Sequence, residues 1–312
     1  MLIGGGGRAA LVPRIESHTP TIPCLLIASR PSPLACFTMR AVRAQRRRER
    51  MSKRLMLLSN STMHGRGYLD HAADEIKDFL GDIDRILFVP FALHDRDEYA
   101  TRARERFAAL GIEVDSLHEA DDEEDAVENA QAIFIGGGNT FRLLNSLYEL
   151  NVIEPIRRRV EGGMPYIGSS AGTNMACPTI RTTNDMPIIE PPSFAALNLI
   201  PFQINPHYMD PEPGTTHMGE TREDRIREFH EANRLPVLGL REGSWLSVEA
   251  PHVELGGKSP ARLFQVGKPP GSGACASPFV PASLRVDRDR TVGHGHAREA
   301  RAGRHVERRL DR

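Results

Sequence analysis

The run Tyr166-Ile167-Gly168-Ser169-Ser170-Ala171-Gly172-Thr173-Asn174 leads a short apolar stretch into small residues that can open a helix. A nucleophile elbow needs this context. Glycine and alanine let the chain turn sharply without Cβ clashes and leave a central serine exposed at the carboxyl end of a strand. Ser170 holds the central place of Gly-x-Ser-x-Gly, and Ser169 is the neighbouring alternative. The pattern alone is short, because glycine and serine are common in turns. A serine hydroxyl at neutral pH also needs a base, normally a histidine held by an acceptor.

Between the two ends of the chain the histidines are His64, His71, His94, His118, His207, His217, His230 and His252. His207 stands out because Ile204-Asn205-Pro206-His207-Tyr208 sets it just past an apolar run, where proline fixes the preceding backbone. Its acceptor can be Glu242, in Leu240-Arg241-Glu242-Gly243-Ser244, or Asp185, in Thr183-Asn184-Asp185-Met186; either can equally be an ordinary surface acid. A second glycine turn, Phe134-Ile135-Gly136-Gly137-Gly138-Asn139-Thr140, leaves backbone N–H groups unobstructed for an oxyanion, with the Asn139 side chain as a further donor. A phosphate cradle and a plain tight turn are the competing readings. No Lys-Ser/Thr follows these glycines and the spacing is not Gly-x-Gly-x-x-Gly.

Elements that can hold these residues alternate along the chain. Leu55–Leu58, Arg85–Val89, Ile112–Leu117, Ala132–Ile135 and Pro165–Ile167 read as strands, and Tyr68–Leu80, Glu98–Leu110, Glu123–Asn129 and Val152–Glu161 as helices, the last closed by Gly162-Gly163. Further on, Leu199–Ile204, Pro236–Leu240, Trp245–Val248 and His252–Leu255 read as strands around one helix, Arg222–Asn233. Such alternation predicts a three-layer αβα domain with a mostly parallel sheet. Two glycine turns at strand ends of one such sheet can converge on one cleft.

The near-neutral total of −1 hides an acidic body between basic ends. Residues 1–50 carry nine arginines and two glutamates, residues 267–312 ten bases and five acids, and the stretch between them twenty-one bases and thirty-four acids. Both ends are rich in glycine, proline and arginine without sustained period, so residues 1–50 and 267–312 are expected to be disordered extensions. Met51 is a plausible start of the mature protein, and the fifty residues before it an upstream extension or a mis-assigned start. The basic run Arg43–Arg50 is expected to be a solvated tail rather than a nucleic-acid site. Ile22–Ile27 is too short to span a bilayer and makes a poor signal peptide, so no membrane partner is expected. Cys24, Cys36, Cys177 and Cys275 lack paired or zinc-like spacing, which fits a reducing, cytoplasmic setting without disulfides; no metal or cofactor site follows, and His294 and His296 are expected to be solvated.

Over residues 52 to about 266 the chain resembles peptidase E, the α-aspartyl dipeptidase family. The resemblance rests on Gly136-Gly137-Gly138-Asn139-Thr140, Gly168-Ser169-Ser170-Ala171-Gly172, Asn205-Pro206-His207-Tyr208, Gly219-Glu220-Thr221-Arg222-Glu223 and Gly239-Leu240-Arg241-Glu242-Gly243, which occur in the family's order. It implies one catalytic domain, 51–266, with a fold related to class I glutamine amidotransferases and a serine on the elbow in place of cysteine. It further implies Ser170 as nucleophile, His207 as base, and Glu242 as third member with Asp185 as rival. The order Ser, His, Glu differs from the Ser, Asp, His of α/β-hydrolases. N–H groups of Gly137, Gly138 and Ala171 would hold the oxyanion.

The implied substrate is a small peptide with an N-terminal aspartate, cut by an acyl-enzyme route without metal or cofactor, in a monomer or homodimer. An acidic body repels such a peptide at long range, so a local arginine must bind its side-chain carboxylate. Arg222 and Arg225 are the candidates, with Arg181 third; Asn139 is a further substrate contact, and Glu220 or Glu223 would take the ammonium. The alternatives are a cyanophycinase-like peptidase acting on aspartyl-arginine units and a non-catalytic amidotransferase-like binding module. Cys177 is not at the elbow, which disfavours a thiol amidotransferase.

Overall fold

The computed structural model describes residues 52–211, 214 and 219–273, all within one unit spanning 46–312. The expected extension 1–50, His217, His294, His296, Cys24, Cys36 and Cys275 lie outside the described residues.

Elements run in the order β1 (Arg54–Leu58), α1 (Ala73–Leu80), β2 (Arg85–Val89), α2 (Arg96–Ala108), β3 (Glu113–Ser116), α3 (Glu123–Asn129), β4 (Ile133–Ile135), α4 (Thr140–Glu149), α5 (Ile153–Glu161), β5 (Tyr166–Ser169) and α6 (Ala171–Ala176). After them come β6 (Gln203–Pro206), α7 (Arg222–Ala232), β7 (Val237–Leu240), β8 (Ser244–Glu249), β9 (His252–Gly257), β10 (Ala261–Phe264) and β11 (Gly271–Gly273). Seven strands form one sheet in the order β3-β2-β4-β5-β1-β8-β9, parallel through β1 and antiparallel at β8 and β9.

Alternate side chains of the parallel strands enter two separate apolar clusters, as the period of two requires. Leu55, Leu57, Leu87, Val89, Ile133 and Ile135 pack with α4, α5 and α6 on one face. Met56, Leu58, Ile86, Phe88 and Phe134 pack with α1 and α2 on the other. A sheet buried on both faces between helices is the expected three-layer αβα architecture. Helix starts follow local chemistry: Asp95, Asp122 and Asn139 each accept a backbone N–H at the head of α2, α3 and α4, and Thr221 with Asp224 forms a capping box on α7.

Three features depart from the sequence expectations. A second, four-stranded sheet, β11-β10-β7-β6, stands beside the main one, with β6 and β7 parallel. Its last strand lies beyond Val266, where the expected domain limit falls; Gly271-Ser272-Gly273 has no apolar pattern and pairs with β10 through its backbone. The apolar run Leu199–Phe202 precedes β6 rather than belonging to it. It is apolar because it is buried, and the N–H groups of Leu197, Asn198, Leu199 and Ile200 cap the carbonyls of Met175, Cys177 and Ala176 at the end of α6.

Candidate active site

Adjacent parallel strands β4 and β5, in register at Ile135 and Gly168, end in the two glycine turns, which therefore lie side by side. Ser170 follows β5 with φ 53° and ψ −106°, a conformation that a non-glycine residue adopts only where its surroundings impose it. The Ser170 N–H donates to the Leu58 carbonyl at 3.1 Å. Gly172 is required by close approach: a Cβ there would lie 2.0 Å from the Ile135 carbonyl oxygen. Ser169, the neighbouring alternative, is fully buried with an unpartnered hydroxyl and has no route to a substrate.

The Ser170 hydroxyl lies 2.9 Å from His207 Nε2, and His207 Nδ1 lies 2.7 Å from Glu242 Oε1. His207 follows β6 with φ 53°, and Glu242 sits in the turn between β7 and β8. The two side chains are 39% and 51% exposed, so a small substrate can reach them. A carboxylate on Nδ1 fixes the tautomer that leaves Nε2 free to take a hydroxyl proton, an arrangement suited to acyl transfer.

Asp185 is elsewhere. Its carboxylate accepts from the Thr140 N–H at 2.8 Å, from the Thr140 hydroxyl and from the Thr183 hydroxyl, so it caps α4, while Glu242 fills the acceptor position on His207. Asn139 is also committed to structure: its oxygen caps α4 at the Arg142 N–H, and its amide donates to the Met186 carbonyl at 2.9 Å. These bonds tie the segment after α6 to the glycine turn. Asn205 and Asn184 add to that tie, with Asn205 Nδ2 2.8 Å from Asn184 Oδ1 and Asn184 Nδ2 2.7 Å from the Pro206 carbonyl.

Gly137 packs against the elbow, its missing Cβ 3.1 Å from Ser170 Cβ. The hydroxyl of buried Tyr99 lies against the same turn. Burial pushes its pKa up, while Tyr68 and the Gly137 N–H pull against that shift. Gly137 lies beside Tyr99, and none of the three expected oxyanion donors, Gly137, Gly138 and Ala171, bonds a backbone carbonyl among the described residues.

Of the expected substrate residues, Arg225 is exposed and pairs with Glu220 at 3.5 Å. Arg181 lies over the Phe194 ring at 5.0 Å. Glu223 is buried, and its two carboxylate oxygens are engaged in ion pairs with Arg227 and Arg262. Arg222, half-buried at the first position of α7, has no ion pair among the described residues. Burial and neighbouring Arg225 pull its pKa down, and Asp185 opposes them.

Sequence reading missed three contributors: Tyr99, and Ser59 with Asn60 at the carboxyl end of β1. A run of short polar residues straight after an apolar strand, Ser59-Asn60-Ser61-Thr62, is the signal that marks the last two. Cys177, at the end of α6, is fully buried. Its sulfur accepts from the Ile204 N–H, and burial pushes its thiol up to about 12. The metal-type grouping among the described residues, Asp97, His118 and Glu119, adjoins β3 at the far edge of the sheet. There His118 is bonded to Ser116 and Asp97, and Glu119 to Arg104. No helix of the described residues is long and apolar enough to cross a membrane.

Residues 55–256 match the sequence model of peptidase family S51. Peptidase E of Streptomyces coelicolor is 58% identical over 216 residues, 69% of this chain and 89% of that protein. A probable alpha-aspartyl dipeptidase of Drosophila melanogaster is 51% identical over 217 residues, 69% of this chain and 90% of its own length. The crystal structure of a putative peptidase E protein from Listeria monocytogenes superposes with a TM-score of 0.53 at 21% identity, covering 67% of this chain and all of that one; at this identity the likeness concerns the fold.

Proposed function

This chain belongs to peptidase family S51, and from that premise we propose that it is a serine dipeptidase releasing an N-terminal aspartate from Asp-Xaa dipeptides through an acyl-enzyme on Ser170. The observation that carries the reading is the unbroken relay from the Ser170 hydroxyl through His207 to Glu242, at 2.9 and 2.7 Å.

In this reading His207 Nε2 takes the Ser170 proton as the hydroxyl oxygen adds to the peptide carbonyl. The Gly137, Gly138 and Ala171 N–H groups stabilise the oxyanion. The protonated imidazole then gives its proton to the leaving amine, the C–N bond breaks, and water hydrolyses the ester with His207 again as base. Arg222 is assigned to the aspartate side chain because it is a partly desolvated cation with no ion pair of its own among the described residues. Glu220, beside Arg225, is left to the substrate ammonium. The cytoplasmic setting rests on the cysteine usage alone and is tested by cell fractionation; the oligomeric state is read by sedimentation.

Hydrolysis of Asp-Leu, Asn-Leu, Glu-Leu and Ala-Leu by the full chain and by Ser170→Ala is the test. Asp-Leu should be turned over selectively and only with Ser170 present. Full activity of Ser170→Ala would remove it as nucleophile, and selective turnover of a β-Asp-Arg dipeptide would move the substrate to the cyanophycinase-like class. Arg222→Met should raise KM for Asp-Leu on the order of 10-fold or more, as loss of a charge-assisted pair predicts.

A further inference from the structure

The last residue of β1 and the two that follow it bond the backbone of Ser170, of His207 and of Gly243 beside Glu242, each more than a hundred residues away in sequence. The Leu58 carbonyl accepts from the Ser170 N–H at 3.1 Å and from the Thr173 hydroxyl at 2.6 Å. The Ser59 hydroxyl accepts from the His207 N–H at 2.9 Å and donates to the Leu240 carbonyl at 2.8 Å, while its own N–H donates to the Ser244 carbonyl. Asn60 Oδ1 accepts from the Gly243 N–H at 2.8 Å, and its amide donates to the Thr62 carbonyl. Ser59 and Asn60 are 0% and 1% exposed, so these bonds are shielded from competing water.

The residues they hold need support. His207 has a left-handed backbone without being glycine, which its own sequence does not favour. The Ser59 hydroxyl satisfies its N–H and at the same time bonds β7, the strand that leads to Glu242. Glu242 carries an exposed side chain with three rotatable bonds, so its aim depends on the turn beneath it. That turn is closed by the Ser244 N–H on the Arg241 carbonyl, with Gly243 at φ 73°, and Asn60 pins its centre.

We propose that Ser59 and Asn60 are positioning residues of the hydrolytic relay: Ser59 sets the backbone of His207, and Asn60 sets the turn that aims Glu242 at His207 Nδ1. This inference rests on the reading of Ser170, His207 and Glu242 given above. Neither side chain touches the substrate, so their effect falls on turnover rather than binding. A displacement near 1 Å at a reacting group costs on the order of 10²-fold.

A double-mutant cycle on Asp-Leu hydrolysis by the full chain tests it, with thermal unfolding recorded for every variant and assays run well below each Tm. Asn60→Ala should lower kcat on the order of 10- to 100-fold with KM within about 3-fold. In a Glu242→Ala background the same change should cost less than about 2-fold, because the residue through which it acts is gone. Asn60→Asp keeps the acceptor for the Gly243 N–H while losing the donor to Thr62, and should lose clearly less kcat than Asn60→Ala; if Asn60→Ala does not fold, this variant is compared with Glu242→Ala in the same cycle. Ser59→Ala should likewise lower kcat with little change in KM, and Ser59→Thr, which keeps the hydroxyl, should recover most of the loss.

Equal losses from Asn60→Ala with and without Glu242, or a loss in Asn60→Asp as large as in Asn60→Ala, would overturn the role given to Asn60. A Ser59→Ala protein with wild-type kcat would overturn that of Ser59. Unchanged kcat in Glu242→Ala alone would instead defeat the reading of Glu242, and with it the role of Asn60, leaving Ser59 to its own variants.

Discussion

The two halves of the relay are built by different means. The strand and helix that flank Ser170 are buried, the serine is set between them by its own small neighbours, and its N–H is fastened to β1. His207 and Glu242 lie half-exposed on loops of the second sheet and its junction with the first, and side chains from elsewhere hold them. Ser59 and Asn60 are two of these. Asp210, three residues past His207, bonds Arg241, next to Glu242, at 2.6 and 2.8 Å and Arg262 at 2.9 Å. A nucleophile can thus be placed largely by local sterics with one backbone bond to a neighbouring strand, whereas a base and its acceptor from separate segments are brought into line by several long-range side-chain contacts.

The largest test of this contrast treats both halves as one unit. Ser170→Ala and His207→Ala should each lower kcat on the order of 10⁴-fold, and the double variant little more, because triad members act together. A double variant far worse than either would separate the halves. Next, Glu242→Ala should cost on the order of 10³-fold in kcat with the fold intact. Asp185→Ala should show its main effect in stability, about 1 to 2 kcal/mol from the lost α4 cap, read as a shift in urea midpoint. Loss of turnover confined to the Asp185 variant would reverse that assignment.

The elbow itself breaks by sterics. Gly172→Ala drives a Cβ into the Ile135 carbonyl, and neither backbone can yield cheaply, so about 3 kcal/mol or more of stability should be lost in chemical unfolding. The base side answers to charge. Burial would raise the pKa of Asp210, but its bonds to Arg241 and Arg262 outweigh burial and hold it below the usual value. Its contribution is therefore complete above the unfolded carboxylate value near about 4 and is lost as pH falls through the lower folded value. Asp210→Asn should lower Tm modestly at neutral pH, the gap closing below about pH 4 and shrinking with salt; a gap independent of pH would exclude this charge effect.

Much of the fold is legible because burial leaves a periodic mark. Arg85–Val89 and Glu123–Asn129 form over the residues their patterns predict. Pattern alone does not mark helix α4, since Thr140-Phe141-Arg142-Leu143-Leu144 follows a glycine turn and its start is set by Asn139 and Asp185, the second from 45 residues away. The same distance effect hides the roles of Asp185 and Asn139. An acid or amide beside a motif looks the same whether it faces a substrate or caps a helix. Glu223 and Arg222 are neighbours in sequence, yet one is buried in ion pairs and the other is unpaired among the described residues, a difference made by Arg262 from β10. Ser59 and Asn60 carry no period at all, because their partners are backbone groups some 150 to 180 residues on.

The thiol of Cys177 has a practical corollary. Enclosed, with burial pushing its pKa up to about 12, it should resist alkylating reagents while α6 stays packed. Its rate of modification, followed by mass spectrometry at that position, becomes a clock for how often the helix behind the nucleophile opens.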